Sequence, residues 1–403
     1  MKLPGIILAL IIAVVCLASC SSKEPAWRTN SLVNYQNQLK VFRNEFKSVE
    51  QPDVKFFLFG MGNRIKMIYQ KGQLYNAIDS AIVMKWDVAK ELIIPNEYSV
   101  QMQLKNGDFV EIQEDERGVF IKQDRKADLI AGTGTAIHLP PFSNHPYSEI
   151  LKTLNQEILI NIVDSKPVPN LFVYKKPWRR DAAMMAMCLE RTGNLALIKD
   201  WVLALDDPYD HNNGSLSGKP ENEADNLGQS LFLLSLFTDK NHPLVAKILE
   251  EARKFEKNID NALFISGRSD FHEVPVYQTK WMKYGLNKLK MNDPYKIPSM
   301  KDDYSSLFWW DYTESHLDCD EYSGDFYPYL AWARDHFHGT KTSVISNRDY
   351  PLTWETNASE ADYKGLSVID PVYVIKKTSA PHTWHASEIF LYLLDKKIFS
   401  AYQ

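Results

Sequence analysis

Cysteine is scarce in this chain, with four in 403 residues. A small exported fold stapled by disulfides carries more, so a packed core must hold this one. An excess of charge of one sign is also missing. Lys and Arg total 46 against 51 Asp and Glu, and no basic run occurs. The electrostatic footprint of a nucleic-acid binder is therefore absent. No G-x-G-x-x-G leads a strand into a helix; Gly60-Met61-Gly62-Asn63 is not such a fingerprint, and no dinucleotide is implied. There is no H-E-x-x-H and no cysteine cluster. Two close histidine pairs occur, His336-x-His338 and His382-x-x-His385. On a helix, His-x-His points its rings about 200° apart. Hydrogen bonding in a pocket suits these residues better than metal ligation, and no metal or other cofactor is expected. No internal repeat or low-complexity tract stands out.

The amino terminus carries a signal. Lys2 precedes the apolar stretch GIILALIIAVVC, which leads to Leu17-Ala18-Ser19-Cys20. A basic start, an apolar stretch and small residues before a cut site make a secretory leader. The stretch is shorter than the ~20 residues a spanning helix needs. Leu-Ala-Ser-Cys resembles a bacterial lipobox, which implies cleavage before Cys20 and acylation of its thiol. Several acyl chains give stable anchoring. Ser21 follows the cysteine rather than Asp, resembling the outer-membrane sorting pattern. The expectation is a leader over 1–19 and an outer-membrane lipoprotein facing the periplasm or the cell surface. Residues 20–53 would form a tether and N-terminal segment.

The remaining chain is too long for one small core. Two textures follow. Residues 54–146 read as a β-rich domain. FFLFGMG, KMIYQ, YSVQMQL, DFVEIQ and GVFIKQ alternate or are rich in β-branched and aromatic residues. Asn106-Gly107, between two alternating runs, is the strongest hairpin signal in the chain. The passage AGTGTAIHLPPFSNHP, residues 131–146, marks the boundary.

From Tyr147 the pattern turns helical. HPLVAKILEEARKFEKN and LALIKDWVLAL are amphipathic. The stretches 182–189, 231–237 and 389–394 are apolar nearly all round, so each must be covered on every side. Cys188 falls in the first of these and reads as core. Inner buried helices and outer amphipathic ones fit an α/α toroid over 147–403, and they fit an ordinary helical bundle equally well. The expected fold class is mainly α, a toroid preceded by a small β-rich domain.

The chemistry-bearing stretches precede or join helices. KPWRRDAA leads into one apolar helix, and PENEADNLGQSLFLLSL places Glu223, Asp225 and Asn226 before another. LFWWDYTESH holds Trp309, Trp310 and Asp311; YPLTWETNASEADY holds Trp354 and Glu355. APHTWHASEIFLYLL holds His382, Trp384 and His385 ahead of the last long helix.

W-x-R-D entering an apolar helix, E-x-D-N-x-G-Q entering another, a late W-E pair and P-H-T-W-H-A-S-E resemble the six-hairpin glycosidases. These are (α/α)6-toroid enzymes that include glucoamylase-like hydrolases, and the resemblance covers 147–396 through short motifs in order. It implies a carbohydrate-active protein that takes an oligo- or polysaccharide. Arg180 and Asp181 would hold sugar hydroxyls. Glu355 would protonate the leaving oxygen. The second carboxylate would be Asp225, with Asp311 and Glu223 as rivals. Trp178, Trp309, Trp310 and Trp384 would offer stacking faces. Hydrolysis needs a proton donor and a second carboxylate across one bond, about 6.5–9.5 Å apart for inversion. The family's usual second glutamate near the last helices has no counterpart; His382 and His385 stand there. That leaves a polysaccharide lyase, with a Tyr or His base, and a non-catalytic glycan-binding lipoprotein as alternatives. Each residue also has a plainer role. Asp225 and Asn226 suit helix caps, Glu355 a solvated loop, Trp309 and Trp310 a core, and Arg180 with Asp181 an ion pair.

Overall fold

The computed structural model describes residues 27–45, 48–132, 134–212, 222–269, 272–298, 345–357 and 362–399. Cys20, Trp309, Trp310, Asp311, His336 and His338 lie outside the described residues.

The N-terminal segment is not only a tether. Helix α1, Thr29–Glu45, occupies part of it. Tyr35, Leu39 and Phe42 recur at helical spacing and are fully buried. A stripe of three residues in a polar sequence gives a weak periodic signal, so the helix within this segment was not legible.

Ten strands follow. A short β1, Ser48–Val49, runs parallel to residues 345–346. Strands β2 (Phe57–Phe59), β3 (Met67–Gln70), β4 (Gln73–Asn76) and β5 (Ile82–Lys85) form one antiparallel sheet in that order. Strands β6 (Val88–Ile94), β7 (Ser99–Leu104), β8 (Phe109–Asp115), β9 (Gly118–Gln123) and β10 (Lys126–Ala131) make a five-stranded antiparallel meander. Asn106-Gly107 does turn β7 into β8: Gly107 takes φ +94° and its N–H meets the Leu104 carbonyl at 2.9 Å. The loop between β2 and β3 is pinned by a buried ion pair. Arg64 lies 2.8 Å from Glu114, which also accepts the N–H groups of Gly60 and Met61.

The further helices among the described residues are α2 (Ser148–Ile160), α3 (Arg179–Thr192), α4 (Lys199–Leu203), α5 (Asp225–Ser235), α6 (Pro243–Ala252), α7 (Pro275–Lys288), α8 (Pro371–Ile375) and α9 (Thr383–Phe399). Helix α3 ends where Gly193 adopts φ +76°, a left-handed cap that a side chain would disfavour. Its residues Ala182–Leu189 are buried throughout, as the all-round apolar pattern requires. Each fully buried Leu or Met there contributes about 1.5–3 kcal/mol of transfer free energy. Helix α5 meets α7 through two glycines. A Cβ on Gly228 would fall 2.2 Å from the Trp281 backbone, and one on Gly285 would fall 2.5 Å from Leu231 Cβ.

The fold class needs correction. The chain is mixed α and β, with several antiparallel sheets in its N-terminal region; it is not mainly α and gives no toroid. Six of the described helices pack in series, α1 on α2, α2 on α9, α9 on α3, α3 on α5 and α5 on α7, and α4 and α6 also lie against α5. An all-round apolar helix reports that it is covered, not by what. Here α9 and α5 cover α3. One hydrophobic core unites these helices. A second joins the β-strands to residues 160–173 and 350–380, so late sequence returns to complete the β region. No helix among the described residues is long and apolar enough to cross a membrane.

Candidate functional site

The site lies where α3, α5 and α9 begin. Asp210 caps α3, its carboxylate accepting the Arg179 backbone N–H at 2.7 Å. That anchoring places Arg180 and Asp181 in the first turn. Both are nearly buried. Arg180 places its Nε 3.0 Å from Asp225 and a terminal nitrogen 2.9 Å from Glu223. An arginine that bonds two buried carboxylates is a fixed cation, held by charge-assisted hydrogen bonds.

Asp225 is fully buried, and its oxygens are engaged. Oδ1 accepts from the Ser269 hydroxyl at 2.6 Å, and Oδ2 accepts from Arg180 and from Gln229 Nε2 at 2.9 Å. This arrangement suits a carboxylate that orients Arg180 and leaves little capacity for activating a water.

Glu355 opens a two-residue strand, residues 355–356, paired antiparallel to residues 378–379. Three residues beyond that partner strand comes His382, whose Nε2 sits 2.8 Å from the Glu355 carboxylate. The Glu355 side chain keeps 33% of its surface exposed while that of His382 keeps 7%, and the Glu355 oxygen that meets His382 is itself buried. Burial pushes the Glu355 carboxyl up. The charge and hydrogen bond of His382, the charge of His385 and a hydrogen bond from Tyr174 outweigh it and hold Glu355 below its ordinary value. Burial likewise pushes His382 down, but the negative charges of Glu355 and Asp181 leave it above its ordinary value.

Asp181 behaves oppositely. Its carboxylate accepts from the Thr383 hydroxyl at 3.3 Å. Burial, which the nearby His382 charge only partly offsets, raises it to about 6. Two carboxyl groups thus face one imidazole with acidities moved in opposite directions.

Aromatic rings border the cluster. Tyr174 stands edge-on to His382 and to Trp178, with centroids 5.9 Å apart in each case. Trp354 is edge-on to His385 at 5.2 Å, and His385 lies 6.1 Å from His382. Trp178, Tyr174 and His385 are partly exposed.

No family model, curated protein or solved structure matches this chain.

Of the expected site residues, the fold brings together Trp178, Arg180, Asp181, Asp225, Glu355, His382 and His385. Trp384 is half-buried against the helical core. Tyr174 was missed, although it stands four residues before Trp178 in the same stretch. Thr383 was hidden inside a motif read for its histidines. Neither residue type signals chemistry without a neighbour from elsewhere in the chain.

Proposed function

We propose that this protein hydrolyses a glycosidic bond, with Asp181 and Glu355 as the reacting carboxyls. The observation that carries this reading is that both carboxyls share His382 as a neighbour, beside partly exposed Tyr174 and Trp178. The environment sorts the roles. A pair of carboxyls whose surroundings drive their acidities apart is the pattern of an acid and a base. Asp181, raised to about 6, retains its proton in weakly acidic solution and suits donation to the leaving oxygen. Glu355, held ionised by His382, suits activation of water. This moves the donor from Glu355 to Asp181 and the second carboxylate from Asp225 to Glu355. Arg180, locked by Glu223 and Asp225, fixes the first turn of α3. Trp178 and Tyr174 supply flat apolar edges for a sugar ring.

The motif resemblance to six-hairpin glycosidases supports the substrate class, and this chemistry does not depend on a closed helical ring. A lyase base at Tyr174 is disfavoured. Burial and the Glu355 charge hold the phenol proton on well above the ordinary tyrosine value, so Tyr174 acts as a donor. The lipobox-like Leu17–Cys20 supports an acylated protein of the outer membrane, which would present the site to glycans of the envelope or its surroundings.

Two substrates separate the roles: a natural oligosaccharide, and an aryl glycoside whose leaving group needs no proton. Glu355→Gln should lose both activities by about 10²–10⁴-fold. Asp181→Asn should lose the first and keep much of the second. Full turnover by folded Glu355→Gln on a panel of both kinds would end this account.

A further inference from the structure

The loop that carries Glu355 is held by a carboxylate that the proposed chemistry does not use. Glu157 lies on α2 with no accessible surface. One of its oxygens accepts the Leu352 backbone N–H at 2.5 Å. The other accepts the Thr353 N–H at 3.1 Å and the Thr353 hydroxyl at 2.5 Å. Thr353 Oγ1 then accepts the backbone N–H of His382 at 3.1 Å. Two residues past Thr353 stands Glu355, 2.8 Å from that same histidine's Nε2.

One buried group therefore touches both approaches to the pair. Through Leu352 and Thr353 it fixes the backbone entering Glu355. Through the Thr353 hydroxyl it fixes the chain that delivers His382 to α9. We propose that Glu157 is a positioning residue that, with Thr353, sets the separation of Glu355 and His382. The role rests on the reading of that pair as reacting groups.

The chemistry of the position agrees. A carboxyl buried in a helical core costs free energy unless hydrogen bonds compensate it, and an apolar side chain would fill α2 at lower cost. Burial pushes Glu157 up to about 8, with Thr353 and Leu352 opposing that rise. All three of these donors come from two adjacent residues, as a grip on one loop requires. Misplacing a reacting group by about 1 Å costs on the order of 100-fold in rate.

The test uses the full chain with labelled histidines, and His382→Asn to assign the His382 resonance. His382 faces Glu355, Asp181, His385 and Tyr174, so its titration midpoint reports its distance from Glu355. Glu157→Gln and Thr353→Val should each move that midpoint down toward an unpartnered imidazole. Thr353→Ser, which keeps the hydroxyl, should restore it. Turnover should fall about 10- to 100-fold in the first two variants with KM changed by less than about twofold. An unchanged midpoint in folded Glu157→Gln and Thr353→Val overturns the proposal, because a merely structural carboxylate leaves His382 alone. If Glu157→Gln does not fold, the Thr353→Val and Thr353→Ser pair decides, since both keep Glu157. A shifted midpoint in a protein that hydrolyses nothing keeps the positioning role and defeats the hydrolase reading. Hydrolysis with an unmoved midpoint does the reverse.

Discussion

At the scale of single residues, burial sets the pH behaviour of this molecule. Activity that needs protonated Asp181 falls as pH rises through about 6, and a kcat profile measured from pH 4 to 9 checks it. Glu388, on α9, is raised by burial to about 8. Its folded pKa lies above its unfolded one, so the native state binds more protons between the two values. Stability from this group is present at low pH and lost as pH rises toward about 8. Glu388→Gln should therefore flatten the pH dependence of Tm and stabilise the protein above pH 8 by on the order of 1–3 kcal/mol. Thermal melts of both proteins at pH 5 and 8.5 check the sign. The sequence showed which residue types carry chemistry, but not which of them meet. Asp225 reads as a free acid ahead of a helix. Only the fold brings Arg180 to it from 45 positions away and turns it into a counter-ion. Asp181 and Glu355 were legible as candidates, yet their opposite acidities depend on His382 between them.

At the scale of elements, close helix approach rests on the absence of side chains. Gly228→Ala removes a flexible residue from a helix, a gain of about 1 kcal/mol. It also drives a Cβ to 2.2 Å from the Trp281 backbone, and overpacking of that kind costs about 1–3 kcal/mol or more. The clash should win, and chemical denaturation should show Gly228→Ala destabilised while a surface Gly→Ala is not. Helix α3 was legible because eight consecutive apolar residues admit only a covered helix. Helix α7 was not, since its polar residues Gln278, Thr279 and Lys280 are buried and erase the amphipathic pattern. Strands β4, β5 and β10 escaped notice for a similar reason: much of their surface faces solvent, so no alternation separates an inner face from an outer one.

At the scale of the whole molecule, late sequence binds early sequence. Arg43 on α1 donates to the carbonyls of Ser346 at 2.9 Å and Arg348 at 2.7 Å, and the Tyr35 hydroxyl reaches the Asp349 carbonyl at 2.5 Å. Hydrogen bonds from a charged donor contribute about 1.5–3 kcal/mol. Arg43→Ala should lower stability by about that amount and quicken amide exchange over residues 345–350, read by mass spectrometry. The mixed architecture was half legible. The β pattern showed a β-rich region and the Asn106-Gly107 hairpin, whereas strand order and ring closure depend on how elements meet, which periodicity does not encode. The grip on residues 346–353 also has a consequence for folding. The Glu157 carboxylate must wait for partners 195 and 196 positions downstream, and Arg43 for acceptors 303 and 305 positions on. Both helices are local structure, so they can form before partners so distant in sequence reach them. Contacts of such sequence separation form slowly, so the grip on the backbone before Glu355 should be among the slower steps of folding.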